Sequence, residues 1–133
     1  MGVSIKKFIP GIAWFFVVLV LICLPGSDIP TVETWLNDIY FDKWVHVGIF
    51  GLLAFLFMLP VVARSSSRTY TEKLQWCIRI TIAAILWGIT TEFIQKYFVA
   101  GRAFDLFDWA ADSFGAILAF LFVKMRFLRH KTA

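Results

Sequence analysis

Charged residues make up only 17% of the 133 positions, against 60% hydrophobic, so the chain lacks the polar surface that an ordinary water-soluble domain needs. It also lacks the motifs that mark common chemistries. There is no CxxC, HExxH, glycine-rich phosphate loop or GxSxG, so no motif-defined zinc, nucleotide or serine-hydrolase site can be read. The 2 cysteines, Cys23 and Cys77, fall in apolar surroundings on separate segments. They are too few for a disulfide framework and read as buried, inert thiols. No small-x-small cleavage site follows the first apolar run, and Ile22 stands before Cys23 where lipidation wants a small residue. That run therefore reads as an uncleaved helix and not as a signal peptide.

What is present is apolar length. Four runs, at about 8–24, 44–62, 77–98 and 106–123, match the roughly 17 to 25 residues that cross a hydrocarbon core at 1.5 Å per residue. The predicted fold is an all-α integral membrane protein, a four-transmembrane-helix bundle forming one domain over 1–133. Lipid is the surrounding partner. In the first connection, Val32 to Tyr40 is expected to form a short amphipathic helix capped by Thr31 or Thr34, resting Trp35, Leu36, Ile39 and Tyr40 on the interface.

Charge distribution predicts orientation. Lys6 and Lys7 precede the first run, Arg64, Arg68 and Lys73 follow the second, and Lys124, Arg126, Arg129 and Lys131 close the chain. Asp28, Glu33, Asp38 and Asp42 fill the first connection instead. Basic residues collect on the cytoplasmic side, so both termini are expected there, with the first and third connections external. The formal charge of +4 is then explained by topogenic anchors, and nucleic acid is not an expected partner.

This topology places the membrane-embedded polar residues on one side. Asp42, Lys43 and His46 begin the second span, Glu92 and Gln95 end the third, and Asp108 and Asp112 begin the fourth, with Arg102 and Asp105 just before it. An Asp, Lys or Arg at a helix centre costs about 2.5 to 3.5 kcal/mol on insertion scales. Such residues are functional-site candidates by default. Asp42 and His46 are spaced i, i+4, so that carboxylate can orient the ring. Asp105, Asp108 and Asp112 share a face continuing through Gly115, and Gly88 lies below Glu92. Small residues there predict that the third and fourth spans touch through Gly88 and Gly115. Arg102, a five-donor planar fork, could pair with Asp105, Asp108 or Glu92, or clamp a phosphate or carboxylate of a ligand. Lys43 reads better as a snorkelling residue. His46, Glu92 and Asp112 are the proton-handling candidates. The clustered carboxylates also allow a divalent cation such as Mg²⁺ or Ca²⁺.

Each reading has a structural counterpart. Asp105 and Asp108 near a helix N-terminus are favoured by the macrodipole alone, and the whole group could be a lock between helices. Trp44 and Trp109 read mainly as lipid-facing or belt residues, with a sugar-stacking platform as a lesser alternative. An ion pathway is disfavoured because the cytoplasmic half is apolar.

The ordered set Asp42-Lys43-Trp44-Val45-His46, Glu92-x-x-Gln95, Gly101-Arg102-Ala103-Phe104-Asp105-Leu106-x-Asp108 and Ala111-Asp112-x-x-Gly115 resembles the VanZ-like membrane family. The resemblance covers 42–115. Asp112 stands where that family more often has Asn, and Val47 where an aromatic is common. The family is named for a protein associated with low-level teicoplanin resistance, and no catalytic residue set carries over. The resemblance implies a multi-pass protein of the bacterial plasma membrane that acts at the cell envelope. Its expected role is to bind or modify an anionic or lipid-linked component such as a cell-wall precursor. The alternative is a non-enzymatic scaffold or accessory subunit whose polar cluster is structural.

Overall fold

The computed structural model describes residues 4–25, 40–63 and 66–128. A 3-10 turn, Ile5–Phe8, runs into α1 (Ile9–Ile22), followed by α2 (Phe41–Val62), α3 (Tyr70–Phe98) and α4 (Leu106–Phe127), with no strand among the described residues. All four helices, the first counted with its 3-10 turn, are long and apolar enough to cross a membrane. Apart from Tyr40, the amphipathic segment expected at Val32 to Tyr40 lies outside the described residues.

α2 begins three positions before Trp44 and α1 ends two before Leu24, but the largest differences from the expected boundaries are in α3 and α4. α3 begins at Tyr70, seven positions before Cys77, because Thr69 and Glu72 form a capping box: the Glu72 N–H donates to Thr69 Oγ1 at 3.3 Å and the Thr69 N–H to Glu72 Oε2 at 2.7 Å. Hydropathy passes over this polar first turn, whereas the Thr-x-x-Glu spacing marks it. α4 continues past Val123 to Phe127, carrying Lys124 and Arg126 where the negative end of the macrodipole favours cations. Asp105 caps the other end of α4, accepting the Phe107 N–H at 2.8 Å.

α2 and α4 run parallel and form the most extensive contact. Ala54, Met58, Val62, Ala116, Ala119 and Val123 fill their shared core, and Cys77 of α3 closes it. Close approach requires glycine. A methyl at Gly115 would collide with the Val47 carbonyl and reach 3.0 Å from the Gly51 N, both on α2. Gly115 therefore serves the α2–α4 contact, where a contact with α3 was expected. Gly88 does face α4, but against Asp112 and Trp109. The reason is angular. Gly115 lies three positions beyond Asp112, a rotation that swings it toward α2.

α3 is antiparallel to both, tied to α4 by the Trp109 Nε1–H donating to the Ile85 carbonyl at 3.1 Å. α1 packs mainly on α2, with Gly11 under the Phe57 ring and Trp14 Nε1–H donating to the Ile49 carbonyl at 3.1 Å. The starts of α1 and α3 and the ends of α2 and α4 thus share one end of the bundle. The opposite end gathers the start of α2, the end of α3 and the start of α4. Of the cysteines, Cys77 is buried as expected, but Cys23 is exposed, since α1 ends just before it.

Candidate functional site

The end where α2, α3 and α4 meet carries the polar layer. Lys43 sits in the first turn of α2, and its Nζ lies 2.8 Å from Asp105 Oδ2, 2.5 Å from Asp108 Oδ1 and 2.9 Å from Asp42 Oδ2. Its ammonium has three hydrogens, so three carboxylates saturate it. Snorkelling is therefore not what Lys43 does. The long stem lies across the α2–α4 seam because the acids there outnumber the cations within reach. The hydrogen bond from Lys43 holds the Asp105 carboxyl below the usual carboxylate range.

One turn deeper, His46 Nδ1 and Asp112 Oδ1 are 2.8 Å apart, joining α2 to α4. The other ring nitrogen, Nε2, is 3.7 Å from Asp108 Oδ2. The expected i, i+4 orientation of His46 by Asp42 is thus replaced. Asp42 stays 61% exposed on the outer face of α2 and joins Lys43. Asp112 and Glu92 are both fully buried.

Glu92, from the last third of α3, holds the connection to α4. Its Oε2 accepts the Asp105 backbone N–H at 2.9 Å. Gln95 turns elsewhere, donating to the Ile22 carbonyl at the end of α1 at 3.4 Å. It supports α1 and is not part of the carboxylate group. Gly101, at φ 74°, makes the reversal between α3 and α4, a conformation that costs glycine little.

Arg102 was expected to pair with Asp105, Asp108 or Glu92, yet no acid among the described residues pairs with its guanidinium. Lys43 pairs with Asp105 and Asp108, the Asp105 N–H holds one oxygen of Glu92, and Arg102 Nε is buried without a hydrogen-bond partner. Glu92 Oε1 and Asp112 Oδ2 are likewise buried and unpartnered. Trp109 is committed to Ile85, while Trp44 remains 60% exposed. Sequence reasoning missed the role of Lys43. The available signal was the surplus of acids around it.

Chemically, a ring nitrogen against a buried carboxylate is a proton-holding pair, and carboxylate oxygens without donors are acceptors for a proton or a cation. One ligand atom each from His46, Glu92 and Asp112 lies within 4.8 Å of the others. Fold and layer together define a four-helix bundle of membrane type with a buried carboxylate–imidazole group at one end. The chain is similar to an uncharacterized protein of Schizosaccharomyces pombe, with 32% identity over 116 residues, which is 87% of this chain. The chain spans about 62% of that relative's length. No family model matches the chain, and no solved structure matches it.

Proposed function

We propose that the protein is a multi-pass membrane protein of the bacterial plasma membrane, with its polar layer outward and both termini cytoplasmic. In this reading it binds an anionic or lipid-linked envelope component such as a cell-wall precursor. The VanZ-like pattern within 42–115 supports a cell-envelope role and, with it, lowered teicoplanin susceptibility.

One observation carries the reading. Arg102 Nε is buried with no acceptor, and no acid among the described residues pairs with its guanidinium. A shielded guanidinium donor without a partner costs free energy, and a phosphate or carboxylate of a headgroup offers the two acceptor oxygens that this planar fork fits. If the bound component is also modified, His46 with Asp112 is the pair placed to move a proton.

A second reading has its own support. Lys43 ties α2 to the start of α4 through Asp105 and Asp108, and Glu92 fixes the α3–α4 connection, as an interhelical lock in a scaffold or accessory subunit would. Native mass spectrometry of the purified protein with phosphatidylglycerol and phosphatidylcholine separates the two. A headgroup site retains the anionic lipid preferentially, and Arg102→Lys loses that preference at unchanged protein yield. Teicoplanin susceptibility of a bacterium expressing each form should follow the same order. Equal retention of both lipids by the wild type, with susceptibility tracking only the amount of protein, establishes the lock instead.

A further inference from the structure

Glu92 and Asp112 share a feature that neither lock nor headgroup uses. Each is fully buried, each has one oxygen engaged by the protein, and each keeps the other without any partner. Lys43, which pairs with Asp42, Asp105 and Asp108, forms no ion pair with either. The imidazole of His46 is the group that faces both acids. Two buried carboxyls beside one imidazole cannot both be ionised without a compensating positive charge, and a bound cation supplies it.

We propose that His46, Glu92 and Asp112 bind one divalent first-row transition-metal ion of the zinc or manganese class. The proposal deepens the reading of this layer as a ligand site and rests on it. The three residues come from three helices, yet each delivers a ligand atom within 4.8 Å of the other two. At metal–ligand distances of about 2.0 to 2.2 Å, atoms on adjacent coordination positions lie roughly 3 Å apart. His46 Nδ1 and Asp112 Oδ1, at 2.8 Å, already stand near that separation, and Glu92 must close in by a rotamer adjustment.

The surroundings are those that orient ligands. Asp108 Oδ2 lies 3.7 Å from the far ring nitrogen of His46, on the side where a carboxylate fixes the tautomer of a metal-binding imidazole. The Asp105 N–H holds Glu92 Oε2 and leaves Oε1 free. Gly88, having no side chain, lets α3 pack closely against Asp112: a methyl there would stand 3.2 Å from Asp112 Oδ2. The donor set selects the ion. Calcium takes six to eight oxygens and magnesium prefers oxygen and water, whereas imidazole with carboxylates suits zinc and manganese. Three protein ligands also leave a coordination position open. A phosphate or carboxylate oxygen could fill it, which would tie the metal to an anionic headgroup. Binding displaces any proton shared by His46 and Asp112 into solvent.

The test uses untagged full-length protein in detergent, stripped with chelator and titrated with Zn²⁺, Mn²⁺ and Mg²⁺ by calorimetry. One equivalent of Zn²⁺ or Mn²⁺ should bind, raise the melting temperature, and outcompete Mg²⁺. Co²⁺ should give visible d–d bands shifted from those of the aqueous ion, a signature that requires no variant. His46→Gln, Glu92→Gln and Asp112→Asn should each weaken binding by at least about tenfold. His130→Gln, which removes the chain's other histidine, should leave it unchanged. Absence of stoichiometric binding and of a Co²⁺ spectrum in the wild type overturns the proposal, as does binding that survives all three ligand changes. Lipid retention is read separately. Metal binding without lipid preference defeats only the headgroup reading, and the reverse result defeats only this one.

Discussion

His46 of α2 and the fully buried Asp112 of α4 meet at 2.8 Å, directly above the Gly115–Val47 contact that lets the two helices close. The polar pair and the glycine contact depend on each other. If Gly115 were larger, α2 and α4 would separate and the imidazole would lose its carboxylate. If Asp112 were missing, the seam would hold an unpaired ring nitrogen.

Gly115→Ala should therefore destabilise the bundle by about 1 to 3 kcal/mol, the range for overpacking a close contact. Gly48→Ala serves as the contrast, since nothing lies within 4 Å of a methyl there. It should be neutral or stabilising by up to about 1 kcal/mol through helix propensity. Reversible unfolding in mixed detergent measures both, and equal losses would contradict the packing described.

Lys43→Met removes the cation from Asp42, Asp105 and Asp108 and should cost about 1 to 3 kcal/mol. That is below the range for a fully buried pair because the Lys43 side chain is 22% exposed. Arg102→Met should stay within about 0.5 kcal/mol in the absence of lipid, since no protein acid loses a partner. Melting temperatures of the two variants, purified in the same uncharged detergent, check the order.

The Lys43 bond holds the Asp105 carboxyl below its ordinary range, so this acid binds protons more weakly folded than unfolded. Its stabilising contribution should be complete above the unfolded value, about pH 3.9, and should fade as pH falls through the lower folded value. The melting-temperature difference between wild type and Asp105→Asn should be constant from pH 7 to about 5 and shrink below about pH 4. In a Lys43→Met background that extra acid sensitivity should be absent.

Thr69→Ala removes the cap of α3 and should cost about 1 kcal/mol. Amide exchange should accelerate in the first turn of α3 and remain unchanged near Glu92. Uniform acceleration along the helix would mean that the cap stabilises the whole bundle.

Single cysteines at Ser66 and Ala100, in a background lacking Cys23 and Cys77, lie at opposite ends of α3 and should label from opposite sides of a membrane. A membrane-impermeant maleimide applied to intact cells should reach Ala100→Cys and not Ser66→Cys. The reverse result would invert the proposed orientation, and labelling of both would remove the spans.

Four apolar runs and the spacing of Gly, Asp and Glu along them were enough to predict four helices and to bring Lys43, His46, Glu92, Asp108 and Asp112 toward one end. Length and hydropathy decide how many helices there are, and helical rise sets the depth of each side chain. Partner choice was beyond the sequence. Asp42 lies four residues from His46, but side-chain spacing within a helix competes with whatever the neighbouring helix presents, and α4 presented Asp112. Lys43 took the acids expected of Arg102 for the same reason: position relative to the α2–α4 seam, not charge, determines which cation reaches them. Gly115 turned to α2 because the rotation of α4 was fixed by packing with two helices at once. The sequence by itself determined the elements, their caps and the polar end. Only the tertiary structure decided who pairs with whom, because pairing depends on rotations of a few tens of degrees that local preferences leave open and interhelical contact sets.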